Sequence, residues 1–197
     1  MSTTRPSGAE SDEHTHPILC WVRRFRMGST TWPMTKGWVA VGENADTSEF
    51  AVNTIARWWE TLGSFRFPQA RRLLITADAG GSNGYRVRAW KWHYNVSLIT
   101  LAWRSRCVII RWVLLSRTVS STGFSVLLNW WGRPLTDLAT IVELIGSTKT
   151  ATGLTVQSHH DQSVYERGIK ITKAEMNQVR LDAHEGHDNW NYTISPH

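Results

Sequence analysis

The chain has 197 residues, a formal net charge of +6, 41% hydrophobic and 19% charged residues, two cysteines and 12 tryptophans. That length is ample for one domain with a core, and the composition is not that of a disordered chain. Two cysteines exclude a disulfide framework and a Cys-rich zinc centre. Residues 18–22 are too short for a signal-peptide core, and the hydrophobic stretch 98–115 is interrupted by Arg104, Arg106 and Arg111. A cytoplasmic chain with no membrane span is therefore expected.

In chain order, the glycine-bounded run GWVAVG at 37–42 predicts a strand. Asp46 and Glu49 have capping-box spacing for a helix over 47–62, where Ala51, Ile55, Trp58 and Leu62 share one face and Gly63 marks the stop. The apolar run Leu73-Leu74-Ile75-Thr76-Ala77 predicts a buried, parallel strand. A glycine-rich loop follows, then a helix over 85–92. Further on, Thr136 caps a predicted helix to Ile145, with Gly146 at its end. A strand is expected at 154–157, and Thr172 with Glu175 forms a capping box for a helix to about Leu181. Residues 189–194 read as a polar, aromatic tail that packs down. The alternation of strands and helices makes the fold class α/β.

That order places Asp78 at the carboxyl end of a central strand, where open α/β sheets present functional groups. Beside it lie Gly80, Gly81, Ser82, Asn83 and Gly84. A carboxylate there can ligate Mg²⁺ while a substrate backbone approaches the glycines. A turn or helix-capping Asp is the structural alternative. The loop is not a phosphate-binding P-loop, because no Lys-Ser or Lys-Thr follows it. His159-His160-Asp161 and His184/His187/Asp188 lack a ligand spacing and read as solvated loop histidines.

Charge is unevenly placed. Residues 79–136, a run of 58, contain no Asp or Glu, and neither do the 29 residues 14–42. The longer run holds Arg86, Arg88, Lys91, Arg104, Arg106, Arg111, Arg117 and Arg133. Such a stretch can supply sequence-independent, salt-dependent affinity for nucleic acid. Arg86, Arg88 and Lys91, next to the loop, are the candidate DNA contacts.

The segment LLITADAGGSNG at 73–84 closely resembles bacterial insertion-sequence DDE transposases of the Rhodopirellula-transposase family. So do GWVAVG, DTSEFAV and IARWW within 37–59, FPQARRLLITAD at 67–78, NWWGRPL at 129–135, TATGL at 150–154, GIKIT at 168–172 and NWNYTISP at 189–196. The resemblance implies an RNase H-like fold, here partial, and metal-dependent DNA cleavage and strand transfer. In the family, three carboxylates hold two Mg²⁺ ions that activate the nucleophile and stabilise the leaving oxygen. Asp78 matches the second carboxylate. The first lies upstream of the matching segments. The third belongs to a motif like HYPPGTSKWNKIEHRLFS that should fall near 109–126, inside the acid-free run.

Reading that region one base earlier restores the motif. The codons of Trp112-Val113 then force a glycine, the junction of Ser120 and Ser121 can encode glutamate, and the stretch can read VCHYPLGTSKSNRIEHRLFSFI. Residues 20–36 shift likewise to VLGKAIPYGVYDLAHDK, similar to the family segment before GWV. The chain thus divides into a non-family, out-of-frame segment 1–36, a transposase core segment 37–93, an out-of-frame segment 94–128 and a transposase C-terminal segment 129–197. This implies an inactive fragment, a pseudogene product with DNA and an intact transposase as partners. The competing readings are a non-catalytic basic nucleic-acid-binding protein and a spurious product.

Overall fold

The computed structural model describes residues 18–22, 36–43, 46–77, 81–84, 86–101, 104–109, 137–149, 155–185 and 190–196. Mixed α/β structure is present, arranged in two sheets. The first has the order β1 (Ile18–Val22), β2 (Lys36–Gly42), β5 (Thr155–Asp161), with β1 antiparallel and β5 parallel to β2. The second has the order β3 (Arg72–Ala77), β4 (Arg104–Ile109), β7 (Asn191–Ser195), β6 (Arg180–Ala183). There β3 and β4 are parallel, as expected, and the other pairs are antiparallel.

Helix α1 (Ser48–Trp58) joins the two sheets. Its Ala51, Val52, Ile55 and Trp58 share one core with Trp38 of β2, Leu73 and Ile75 of β3, and Tyr192 and Ile194 of β7. Trp90 and Tyr94 of α3 (Arg88–Leu101) complete it, stacked at 5.4 Å between ring centroids. The Trp90 indole N–H donates to the Tyr192 hydroxyl at 3.1 Å, which satisfies both buried polar atoms. On the other side of the first sheet, α4 (Leu138–Gly146) packs Ile141 and Ile145 on Val39, Val41 and Val156. Strand β2 is thus buried on both faces, which is why it reads as an unbroken apolar run. Gly42 has a steric reason, since a Cβ there would come within 2.9 Å of the Phe50 ring.

Several local expectations are corrected. The N-cap of α1 is Thr47, whose hydroxyl accepts from Phe50 N at 3.1 Å, and not Asp46. Gly63 does not stop the helix. A π-helical turn (Trp59–Gly63) and a last helical turn α2 (Ser64–Arg66) carry the chain on to Phe67. The helix after the glycine loop runs over Arg88–Leu101, later and longer than 85–92. Asp137 caps α4 by accepting from Thr140 N at 2.7 Å, a better-placed acceptor than the expected Thr136, which lies outside the described residues. The Thr172–Glu175 capping box is present, but its helix α5 (Lys173–Met176) is short. Residues expected to extend it form β6, because pairing with β7 outweighs local helix propensity. The C-terminal stretch is not a tail laid on the surface. It supplies β7, inserted between β4 and β6.

Residues 94–101 continue α3, and residues 104–109 pair with both β3 and β7. Part of the segment read as out of frame therefore has a regular backbone within the fold. Its remaining residues, 110–128, lie outside the described residues.

Candidate functional site

The glycine loop is held by the start of α1. Gly81–Asn83 form one 3-10 turn, and Gly84 N donates to Gly81 O at 3.3 Å. The Ser48 hydroxyl, on the first residue of α1, donates to Ser82 O at 2.5 Å. Gly81 has φ +69°, a left-handed conformation that favours glycine. A Cβ there would lie 3.5 Å from Asp46 Oδ2. The Asp46 carboxylate, displaced from the expected cap, therefore approaches the loop instead. Asp78 and Gly80 lie outside the described residues, so only Gly81, Ser82, Asn83 and Gly84 of the expected loop are placed.

Beyond the loop, Arg86 and Arg88 are exposed. Lys91 is half-buried, and its ammonium sits 4.9 Å from the centroid of the Tyr192 ring. That contact gives Lys91 a packing role in addition to any with DNA. Magnesium is the ion implied by resemblance. Among the described residues, no three His, Cys, Asp or Glu side chains converge as a metal site.

A second polar cluster lies where α1 meets β5. Sequence reasoning placed His159, His160 and Asp161 in a solvated loop, yet all three are on β5 and Asp161 is buried. Tyr165 donates its hydroxyl proton to Asp161 Oδ2 at 2.6 Å, Ser163 N donates to Oδ1 at 3.0 Å, and Arg57 of α1 forms an ion pair at 3.5 Å. Burial pushes the Asp161 carboxyl up, but the bonds from Tyr165 and Ser163 and the Arg57 charge outweigh it and hold it below its ordinary value. The same environment raises Tyr165, through burial first and its bond to Asp161 second.

Arg57 also donates to His159 Nε2 at 2.7 Å. Guanidinium cannot accept, so this imidazole nitrogen carries no proton. Burial, reinforced by the Arg57 charge, lowers the His159 pKa. The ring stacks on Trp38 at 5.9 Å. Next to it, His160 Nε2 lies 2.6 Å from the Glu43 carboxylate. Burial of one anion among two cations, a phenol and a serine makes this cluster a structural joint between α1 and the first sheet. A sequence signal did exist. Ser163 and Tyr165 follow Asp161 by two and four residues, a spacing at which an Asp side chain closes a turn on its own backbone.

With the geometry in hand, the chain was compared with known proteins. It matches the Rhodopirellula transposase DDE domain family over residues 24–196. The chain belongs to that family. The match spans both sheets from β2 onward and includes the glycine loop. Comparison with curated proteins and with solved structures gives no match. Membership connects the chain with DNA transposition, and with a family that generally uses divalent metal ions and acts on DNA. Among the described residues, no helix is long and apolar enough to cross a membrane.

Proposed function

We propose that this chain is a transposase-derived, DNA-binding protein that no longer performs strand transfer. The observation that carries the reading is the absence of any Asp or Glu over 79–136, the region in which the family's third carboxylate falls. Family membership supports DNA as the partner and an RNase H-like ancestry for the two sheets. Asp78 remains as the match to the second carboxylate. Asp46 adds one carboxylate near the loop, but the described residues do not assemble a set that would fit two Mg²⁺ ions. Two-ion chemistry needs both the attacking and leaving oxygens held by metal. No catalytic step is therefore derived for this chain.

What its own residues supply is phosphate binding. Arg86 and Arg88 stand exposed at the loop exit and the start of α3, beside backbone that can approach a nucleic acid closely. The intact transposase would then be a partner through shared DNA. The loss of the carboxylates is attributed to reading-frame shifts over 1–36 and 94–128. The gene decides this directly. In the shifted frame, the codons spanning Ser120 and Ser121 should contain GAG or GAA, and any other triplet there overturns the frameshift.

Activity is tested by incubating the protein with supercoiled and linear DNA in Mg²⁺ and in Mn²⁺. The expected result is retention of DNA without nicking or joining. Nicking that disappears in Asp78→Asn would refute the loss of catalysis.

A further inference from the structure

The second sheet is covered on one face only. Leu73, Ile75, Tyr192 and Ile194 point into the core, with Leu181 packed against it. The alternate positions form the outer face, because successive side chains in a strand point to opposite sides. There Arg72, Arg180 and Asp182 are exposed, and Leu74 is 38% exposed. Thr193 and Asn191 of β7 are half-buried.

The register gathers the basic positions at one end. Arg72 is in register with Arg104, Leu74 with Arg106, and Arg180 with Ser195, while Ser105 pairs with Ile194. Arg72, Arg104 and Arg180 thus fall at the same end of the sheet, the amino end of β3, with Arg106 one step in. Exposed Arg71 precedes β3 at that end. Asp182 is the one acidic residue at the alternate positions of β6 and β7, and those of β3 and β4 carry none over the described strands. Strand spacing of about 4.8 Å makes this basic row roughly 14 Å wide.

We infer that the outer face of this sheet is a second nucleic-acid surface, one that holds the sugar-phosphate backbone of double-stranded DNA without reading sequence. Charge complementarity selects a polyanion, and duplex DNA presents a charge about every 1.7 Å of its axis. The pattern also discriminates against single strands. Single-strand platforms stack bases on exposed aromatic rings, whereas the rings the second sheet contributes among its described positions, such as Tyr192, face inward. This surface lies across the sheet from α3, so it is separate from Arg86 and Arg88. It rests on the proposed DNA binding for its partner but on different residues. Arg104 and Arg106 fall in the segment read as out of frame, which makes the surface a property of this chain more than of its family.

The test is fluorescence anisotropy with a random-sequence duplex of about 25 base pairs across 50–300 mM KCl. Three proteins are compared: the wild type, Arg72→Gln/Arg180→Gln and Arg86→Gln/Arg88→Gln. Circular dichroism and thermal unfolding confirm that each is folded. Removing two phosphate contacts should reduce the slope of log K against log salt by about 1.8 in the Arg72/Arg180 variant. An unchanged slope there, with a reduced slope in the Arg86/Arg88 variant, overturns this inference and leaves the proposed function standing. Tighter binding of an oligo-dT strand than of the duplex overturns the choice of occupant. Absence of duplex binding by the wild type overturns both readings.

Discussion

The two sheets solve different problems with similar strands. In the first, β2 is sandwiched between α1 and α4, and every residue from Gly37 to Gly42 is buried. In the second, β3 has helices on one side only, so Leu73 and Ile75 are buried while Arg72 and Leu74 are not. Read as sequence, GWVAVG and LLITA look equally apolar. The difference lies in what covers each face, and only Leu74 betrays it, as an apolar residue left on the wet side. A short apolar run therefore reports that a strand is present without reporting how many of its faces are dry.

The strongest way to break this comparison is to make the same deletion on the two faces of β3. Ile75→Ala should cost about 2–5 kcal/mol, as for a buried aliphatic truncated in a packed core. Leu74→Ala should stay near 0.5 kcal/mol. Urea unfolding of the two variants measures both, and equal costs would mean that the outer face is covered.

A second, smaller contrast concerns polar groups. Tyr165→Phe takes a donor from buried Asp161 beside the covered sheet and should cost about 1–3 kcal/mol. Thr193→Val removes the bond to His184 Nε2, 2.8 Å long, on the uncovered sheet. Water can replace that bond, so the expected change is within about 0.5 kcal/mol. Comparable losses at both sites would erase the distinction between dry and wet faces.

The smallest effect expected is a pH dependence set at the joint between α1 and β5. The folded pKa of His159 is lowered, so between that value and the ordinary one near 6.5 the unfolded chain binds more protons. Its contribution to stability is complete above about pH 6.5 and declines as pH falls through and below that value. Asp161, also lowered, adds a loss only at more acidic pH, as its own carboxyl protonates. Denaturation midpoints at pH 7.5 and pH 5.5 should therefore differ less in His159→Gln than in the wild type. An unchanged difference would remove His159 from the account.

Much of the fold was legible where the signal is local. The Thr172–Glu175 box, the apolar face of α1 and the parallel strand before the glycine loop all depend on neighbours within a few residues. What stayed hidden depends on partners far along the chain. Strand β6 looks helical until β7 is beside it, and β7 looks like a tail until β4 and β6 flank it. Asp161 looks solvated because the residue that neutralises it, Arg57, lies more than one hundred positions earlier. At the loop, the glycines were readable, but the approach of Asp46 was not, since its spacing to Glu49 suggested a cap.

The edge of β3 has a consequence of its own. Among the described strands it is paired on one side only, with β4. Unpaired strand edges are templates for pairing with another copy, and natural sheets guard them with charge. Arg71 and Arg72 stand at the start of this edge and provide such a guard. Electrostatic repulsion of this kind weakens as salt shortens the Debye length, from about 10 Å at 0.1 M to about 3 Å at 1 M. The colloidal behaviour of this basic chain is thereby tied to ionic strength. Concentrated salt, which would free it from DNA, also lowers the barrier to its self-association.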